Sequence, residues 1–322
     1  MEQPQVNLLQ KDVRFEGYLL VRSAEQRAAG NGSRYLDMTL SDRTGDINAK
    51  LWDGAFSPPV SGTVVKVRGM VQEYNGRLQM RVERMRDSEE QDGIDISLLT
   101  PCAPLPPEAM LLTIDETIER MENEDLKKLL RVLIDDIREQ LVYFPAAQKL
   151  HHAERSGLLH HTTDMLRTAE ALLPCYPWLN GDLVRAGVII HDLSKIGELD
   201  SDSLGNVRDY TADGLLLGHL VRGVSNVARA AEKAGVTGEL PMLLEHMVIS
   251  HHGIAEHGSP RMPMFPEAEM LHWIDLLDAR MNEMESVQKR TPPGAFSEKI
   301  WSLERRMYHP KYDAALGASQ ED

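Results

Sequence analysis

The stretch that most constrains this chain is Asp182–Glu198, which reads DLVRAGVIIHDLSKIGE. Its apolar residues predict a buried helix that carries His191 and Asp192 side by side, with Lys195 one turn further on. At about 100° per residue, Lys195 falls roughly 40° from His191 and roughly 60° from Asp192. An imidazole, a carboxylate and an ammonium in one sector of a buried helix are costly unless something compensates them. A divalent metal with a phosphate would do so.

Further histidines and a carboxylate follow the same helical pattern elsewhere in the chain. They are His161 in GLLHHT, His219 in LLLGHLVRG, His251 and His252 in ISHHG, and Asp275 in LHWIDLLDA. A single His-Asp pair is most often a core histidine beside a surface carboxylate. The order of all these motifs, however, resembles the HD superfamily of metal-dependent phosphohydrolases. That resemblance implies a helical domain built around a metal centre.

Length, apolar content and cysteines indicate two domains in a reducing compartment. The 322 residues are enough for two hydrophobic cores. We find no apolar run long enough to span a membrane and no signal-peptide pattern at the N-terminus. Cys102 and Cys175 are too few for a disulfide framework and lack zinc-site spacing. We therefore expect a cytoplasmic protein that does not associate with membranes.

Charge is unevenly distributed along the chain. The net charge of −15 argues against loose, charge-driven binding to nucleic acid. Residues 11–90, however, carry 13 Lys and Arg against 12 Asp and Glu, so the excess negative charge lies in the rest of the chain. If nucleic acid binds, its first contact is expected in the N-terminal part.

That N-terminal part has the pattern of a small barrel. Strands are expected at 13–21, 35–41, 46–53, 62–71 and 77–82, with a polar loop at 23–33 and a hairpin turn at Asn75-Gly76. Five short strands with a longer first loop fit an antiparallel barrel such as the OB fold. The segments LSDRTGDINAKLWD and GTVVKVRGMVQEYNGRLQM also resemble OB-fold nucleic-acid-binding domains.

Such barrels bind single strands by stacking bases on aromatic side chains and placing cations along the phosphates. The stacking candidates are Tyr35, Trp52, Phe56 and Tyr74, and the phosphate candidates are Arg34, Lys50, Arg68, Arg77 and Arg81. About half of such aromatics are core or rim packing, and an Arg on an exposed strand is usually only solvated. The prediction therefore concerns the surface as a whole more than any one residue.

The expected fold class is a multidomain α and β protein, an OB-type barrel followed by an all-α HD domain. We place an N-terminal arm at 1–12, the OB-fold domain at 13–90, a linker at 91–112, the HD domain at 113–310 and a tail at 311–322. The HD domain is expected to open with one amphipathic helix that starts at Thr113 or Asp115 and continues to Leu141.

The HD resemblance implies two metal ions that share one carboxylate. The first ion would be held by His161, His191, Asp192 and Asp275, and the second by Asp192, His219, His251 and His252. Imidazole and carboxylate ligands suit Mn²⁺, with Fe²⁺, Co²⁺ or Ni²⁺ as alternatives. Two ions about 3.5–4 Å apart can share a water, lower its pKa and clamp an in-line displacement. Asp192 and Lys195 would be the catalytic residues, with Lys195 neutralising charge on the phosphate.

Several assignments stay open. Asp278 is the alternative to Asp275, and His246 and His272 are further candidates for the metal site. His152 resembles residues near the substrate phosphate in this superfamily, and a plain structural role fits it equally well. Arg261, in the loop 258–261, is a candidate for phosphate contact.

The motifs in combination resemble the YhaM-type 3′→5′ exoribonucleases over roughly residues 13–310, from LSDRTG through KLHHA, HDLSKIGEL and SHHG to LHWIDLLDA. One departure is His160, where this family usually has an acidic residue. The resemblance implies Mn²⁺-assisted hydrolysis of single-stranded RNA, and often DNA, to nucleoside monophosphates by a homo-oligomer. Two alternatives remain: an HD-type phosphodiesterase or phosphohydrolase for small nucleotides or cyclic dinucleotides, and a single-strand-binding module with a vestigial HD domain.

Overall fold

A computed structural model describes residues 3–30, 32–52, 57–148 and 152–312. The chain divides into two compact units, Met1–Cys102 with Ser201–Asn206, and Ala103–Asp200 with Val207–Asp322. Each unit has its own hydrophobic core. The division after Cys102 lies within the predicted linker 91–112. Among the described residues, no helix is both long and apolar enough to cross a membrane.

The N-terminal unit is built on a closed five-stranded barrel. Its strands are β1 (Arg14–Ala28), β2 (Arg34–Asp42), β3 (Gly45–Leu51), β4 (Val64–Tyr74) and β5 (Arg77–Asp87). They close in the order β1-β2-β3-β5-β4, with β3 and β5 parallel and the other pairs antiparallel. Alternate residues such as Leu36, Met38 and Leu40 fill the interior. The predicted OB-type barrel is confirmed.

The predicted loop at 23–33 is wrong in its first half. β1 continues to Ala28 and stays paired with β2, as far as the pair of Ala28 with Arg34, after an irregularity between Val21 and Ser23. The backbone hydrogen bonds of this extension do not depend on apolar side chains, and its residues beyond Val21 are exposed or half-buried. The alternation that marks a half-buried strand is therefore lost, although the strand continues.

The second unit is mainly helical. Its helices are α1 (Pro107–Arg120), α2 (Glu124–Asp135), α3 (Arg138–Leu141), α4 (Gly157–Leu172), α5 (Gly181–Ile190), α6 (Lys195–Glu198), α7 (Ala212–Leu216), α8 (Gly218–Ala234), α9 (Glu239–Ser250) and α10 (Pro266–Arg290). Between α6 and α7, β6 (Leu199–Ser201) and β7 (Val207–Tyr210) form a two-stranded sheet. The apolar helix α5 contacts α2, α4, α9 and α10, so its C-terminal end lies inside the unit.

The single opening helix predicted from Thr113 or Asp115 to Leu141 is wrong. α1 already begins at Pro107 and ends at Arg120, and α2 begins after Asn123, whose side chain accepts hydrogen bonds from two backbone N–H groups of its first turn. Asp182, distant in sequence, accepts from the backbone N–H groups of Glu122 and Asn123 at 2.7 and 3.1 Å. These caps stabilise a break that the apolar periodicity does not show.

Candidate metal centre

The conspicuous stretch 182–198 is not one continuous helix. α5 ends at Ile190, a turn occupies 191–194, and α6 begins at Lys195. In this turn the N–H of Lys195 donates to the carbonyl of Asp192, only three residues back, at 3.0 Å. The tighter turn still brings the predicted groups together, because Lys195 Nζ lies 2.6 Å from Asp192 Oδ2.

Four residues from three helical segments converge in a first group. His161 lies on α4, His191 and Asp192 follow α5, and Asp275 lies on α10. His161 Nε2 is 3.2 Å from His191 Nε2 and 3.3 Å from Asp275 Oδ1. Asp192 Oδ2 is 3.3 Å from His191 Nε2. The structure therefore brings together the four residues predicted around the first ion.

The other oxygen of Asp192 faces a second group. Asp192 Oδ1 lies 3.5 Å from Nε2 of His219, on α8, and 3.6 Å from Nε2 of His251, at the end of α9. The ring of His252 lies 5.2 Å from that of His219, measured between centroids. The three histidines offer ligand atoms within 4.8 Å of one another. Asp192 thus stands between the two groups, as the bridging prediction requires.

Unsatisfied buried atoms show that the second group suits a cation. Asp192 Oδ1, His219 Nε2 and His251 Nε2 are buried, and none of the three has a hydrogen-bond partner among the residues that the structure describes. Buried polar atoms without hydrogen-bond partners destabilise the folded protein. Because these three atoms face one another, a single bound ion could satisfy all of them. A divalent cation accepts lone pairs from all three, and nitrogen and oxygen donors without thiolate suit the ions predicted from the sequence.

Two of the imidazoles are oriented by backbone carbonyls. Nδ1 of His191 donates to the carbonyl of Val188 at 2.8 Å, and Nδ1 of His251 donates to the carbonyl of Val248 at 2.7 Å. Because a carbonyl only accepts, each Nδ1 carries a proton, and the lone pair of a neutral ring is left on Nε2. Both Nε2 atoms face the centre, as a metal ligand requires.

Two more imidazoles of the centre, those of His219 and His161, are oriented by carboxylates. Nδ1 of His219 is 2.8 Å from Glu198 Oε2, and Nδ1 of His161 is 2.7 Å from Asp278 Oδ2. Asp278 therefore lies on the side of His161 opposite to Asp275. The spacing did not distinguish these two carboxylates, and the geometry places Asp275 beside the ligand atom. Glu198 was missed in the sequence, although it closes the same HDLSKIGE motif.

Local electrostatics favour the ligand forms of Asp192 and His252. Burial alone would raise the pKa of Asp192, but the charge of Lys195 and the neighbouring His191 hold that pKa well below its usual value. Burial, helped by the charge of His251, lowers the pKa of His252 to about 3. The carboxylate is therefore ionised and this imidazole is neutral at neutral pH, which are the states that bind cations.

The pKa of His161, in the first group, is raised, unlike that of His252. Burial lowers its pKa, but Asp275 and Asp278 together raise it to about 9. A divalent cation has to displace a proton to bind at Nε2 of this ring, so metal binding at the first group competes with protonation.

The remaining histidine candidates lie outside both groups. Nε2 of His246 accepts from the backbone N–H of Met264 at 3.0 Å, and Nδ1 of His272 donates to the carbonyl of His251 at 2.8 Å. Both rings are therefore engaged by backbone atoms. Arg261, the candidate for phosphate contact, is exposed.

A network of histidines and carboxylates contacts the first group through Asp278, which lies beside both His152 and His161. His152 is buried with a positive φ of 50°, and its Nε2 lies 2.8 Å from Asp278 Oδ2. His160 lies between Glu154, at 2.7 Å, and Asp164, at 3.2 Å. Burial opposes its protonation, but these carboxylates raise the pKa of His160 to about 9. Hydrogen bonds satisfy this network, so it needs no ion of its own.

On the barrel, the predicted aromatic surface is assembled. The rings of Tyr35 and Trp52 stack with centroids 4.5 Å apart and planes at 26°. Lys50 Nζ lies 5.3 Å from the Tyr35 centroid and 5.7 Å from that of Tyr74. Trp52 and Tyr74 are 52% and 63% exposed. Phe56 lies outside the described residues. We call Tyr35, Lys50, Trp52 and Tyr74 the aromatic platform.

The predicted arginines do not all join this platform. Arg81 pairs in register with Lys50, and Arg77 with Tyr74, so both lie beside it and are exposed. Arg34 is exposed next to Tyr35 in the chain. Arg68 lies on β4 six residues before Tyr74, about 20 Å away along the strand, with its Nε 3.8 Å from Glu83. The structure does not bring Arg68 to the platform.

Fold and site together define a class of protein. It joins an OB-type barrel with an exposed aromatic platform to a helical unit with a buried histidine–aspartate centre that fits divalent metal. A family described as an OB-fold nucleic acid binding domain matches residues 13–87. Among solved structures, the chain is similar to the second OB-fold domain of replication protein A from Methanococcus maripaludis. The two are 20% identical, the match covers 27% of this chain and 95% of that domain, and the TM-score is 0.23.

Two relatives match more than nine-tenths of the chain. The chain is 42% identical over 305 residues to the 3′-5′ exoribonuclease YhaM of Geobacillus sp. (strain WCH70), covering 93% of each chain. It is 40% identical over 295 residues to the protein of the same name from Bacillus subtilis (strain 168), covering 91% of this chain and 93% of that one. The chain belongs to the YhaM family of 3′-5′ exoribonucleases.

Proposed function

We propose that this chain is a hydrolase of phosphodiester bonds, a 3′→5′ exoribonuclease that degrades single-stranded RNA to nucleoside monophosphates with the help of divalent metal. Single-stranded DNA is proposed as a second substrate. Family membership supports the reaction. The observation that carries the metal dependence is the trio of buried, mutually facing atoms Asp192 Oδ1, His219 Nε2 and His251 Nε2, which have no hydrogen-bond partner among the described residues.

The two groups of ligand atoms are proposed to hold two ions, Mn²⁺ by preference, with Fe²⁺, Co²⁺ or Ni²⁺ as alternatives. The first group is His161, His191, Asp192 and Asp275, and the second is Asp192, His219, His251 and His252. Such ions activate water and stabilise negative charge on a phosphate undergoing in-line displacement. Cysteine is not part of either group, which agrees with this choice of metals.

The chain's own catalytic contribution is proposed to centre on Asp192 and Lys195. Asp192 places one oxygen in each group and so fixes their separation. The side chain of Lys195 is 12% exposed and its ammonium is anchored by Asp192 at 2.6 Å, so it presents a positive charge beside the centre with little freedom to move. A phosphodiester bound there would have its free oxygens oriented and partly neutralised by this ammonium.

Nucleic acid is proposed to bind the barrel at the aromatic platform. Base stacking on aromatic side chains tolerates any sequence, which suits an enzyme that degrades a strand one nucleotide at a time. Lys50 lies between the Tyr35 and Tyr74 rings and supplies a positive charge for a phosphate. Arg77 and Arg81 extend that charge to either side, whereas Arg68 is proposed to play no part here.

The decisive test is a time course on 5′-labelled single-stranded RNA with Mn²⁺, comparing wild type with Asp192→Asn. We expect a ladder that shortens from the 3′ end in the wild type and is lost in the variant. Asp200→Asn is a matched control, because Asp200 lies near Asp192 in the chain but is exposed. RNA binding without turnover in any divalent metal would instead indicate a binding module.

A second assay separates the nuclease from a small-nucleotide hydrolase. Trp52→Ala should impair degradation of RNA but not hydrolysis of bis(p-nitrophenyl) phosphate, because this small substrate has no nucleic-acid strand to bind at the platform. Equal effects on both substrates, or turnover of cyclic dinucleotides faster than of RNA, would favour the alternative. A cytoplasmic homo-oligomer is a further part of the proposal, and light scattering on the purified chain tests its assembly.

A further inference from the structure

The four imidazoles that face Asp192 are oriented in two different ways. Two donate Nδ1 to backbone carbonyls, and two have Nδ1 on a carboxylate, one in each ligand group. We propose that Asp278 and Glu198 are positioning residues, and that each sets the affinity of one ion, Asp278 through His161 and Glu198 through His219. This inference rests on the proposed metal-dependent function and concerns residues that contact ligands rather than ions.

Glu198 holds His219 at two points. Its Oε2 lies 2.8 Å from Nδ1 of the ring, and its Oε1 accepts from the backbone N–H of the same residue at 3.2 Å. Its own backbone is held in turn, because its carbonyl accepts from the N–H of Thr211 at 2.9 Å. A Cβ at Gly214 would lie 2.3 Å from that carbonyl oxygen, so glycine is required for the approach. Backbone and side chain therefore act as one rigid support.

Asp278 holds His161 from the side away from the ions. Its Oδ2 lies 2.7 Å from Nδ1 of His161 and 2.8 Å from Nε2 of His152, and its side chain is 10% exposed. Asp275 lies one helical turn earlier on α10 and approaches the other nitrogen of His161 at 3.3 Å. α10 therefore contacts both nitrogens of the His161 ring, with the proposed ligand Asp275 at Nε2 and the positioning residue Asp278 at Nδ1.

A carboxylate on Nδ1 does three things for a metal ligand. It keeps the proton on that nitrogen, it fixes the ring plane, and it increases the electron density that Nε2 offers to the cation. Loss of such a partner typically costs about 10–100-fold in metal affinity. The carbonyl partners of His191 and His251 belong to the backbone and cannot be removed by a substitution, whereas Glu198 and Asp278 can.

The experiment is a Mn²⁺ titration of the metal-stripped full chain by calorimetry, supported by competition with a chromophoric chelator. Glu198→Gln and Asp278→Asn keep side-chain shape and remove the charge. We expect each to weaken one of two binding steps by about 10–100-fold and to leave the other within about twofold, with a different step affected in each variant. Asp200→Asn and Glu285→Gln, exposed carboxylates near each site in the chain, are the matched controls.

Three results would overturn the inference. Two-step binding in which both variants match the wild type would show that the carboxylates do not set affinity. Equal weakening of both steps by both variants would indicate general loss of structure instead of positioning. A wild type that binds no Mn²⁺ would remove the proposed metal-dependent function, and this inference with it, so the two failures are distinguishable.

A measurement on the wild type keeps the test valid if a variant does not fold. Long-range ¹H–¹⁵N NMR on protein loaded with diamagnetic Zn²⁺ reports which ring nitrogen binds the ion. We expect His161 and His219 to bind through Nε2 with the proton on Nδ1. Coordination through Nδ1 in either ring would contradict the role of its carboxylate.

Discussion

Lys195→Met tests whether the ion pair at the centre depends on metal. Lys195 Nζ lies 2.6 Å from Asp192 Oδ2, with only 12% and 4% of the two side chains exposed. Removing one partner of a buried pair costs about 3–5 kcal/mol, because the other charge is left uncompensated. Methionine fills a similar volume, so packing should change little. In metal-stripped protein we therefore expect the free energy of unfolding to fall by about that amount.

The same substitution should matter far less when metal is bound. Melting temperature changes by about 2–4 °C per kcal/mol for domains of about 150–250 residues, which gives a loss of about 6–20 °C without metal. Saturating Mn²⁺ compensates the charge of Asp192 from the other side, so the loss should shrink to below about 1 kcal/mol. Differential scanning fluorimetry of metal-stripped and Mn²⁺-loaded protein measures both values.

A matched surface pair provides the control. Lys233 Nζ lies 2.9 Å from Asp136 Oδ1, but both side chains are 60% exposed. Lys233→Met should therefore cost less than about 1 kcal/mol, with or without Mn²⁺. The reasoning is refuted if Lys195→Met and Lys233→Met have equal effects, or if the loss in Lys195→Met is the same in both metal states.

Three further predictions concern the support of the site, the barrel and acid stability. Gly157→Ala would place a Cβ 2.0 Å from the carbonyl oxygen of His152, and should lower the free energy of unfolding by about 3 kcal/mol in denaturant titrations. Trp52→Ala removes half of a stacked pair, and should weaken binding of single-stranded RNA by about 1–3 kcal/mol in fluorescence anisotropy. A hydrogen bond from Arg138 keeps the pKa of Asp115 below its usual value, against the effect of burial. Its stabilisation is present above the pKa of the unfolded chain and is lost as pH falls through the folded value, so Asp115→Asn should flatten the fall in melting temperature below about pH 4.

Each of these has its own control. Gly197→Ala meets no atom within 4 Å and should leave stability nearly unchanged, so a similar loss there would contradict the steric argument. Trp178 is 68% exposed in the helical unit, and equal loss of RNA affinity in Trp178→Ala would show that the platform is not the binding surface. Glu245→Gln is the control for acid stability, and an unchanged pH profile in Asp115→Asn would remove the role given to Arg138.

The sequence by itself determined what depends on local pattern and on side-chain chemistry. Alternation in residues such as Leu36, Met38 and Leu40 predicted strands, since a strand with one buried face has a period of two, and the number of strands with their turns and loops predicted a barrel. The motif order resembles the HD superfamily, and that resemblance predicted that His191 and Asp192 share a site with distant histidines. The types of those side chains limited the metals to those that imidazole and carboxylate bind.

Only the tertiary structure decided what depends on contacts between distant segments. Asp275 and Asp278 share one side of α10, and no periodicity tells which nitrogen of His161 each one meets. The break between α1 and α2 depends on Asp182, which caps the chain about 60 residues away. Propensity and periodicity describe a segment alone, whereas hydrogen bonds that close a cap or orient an imidazole belong to two segments at once. Such bonds become visible only when the chain has folded.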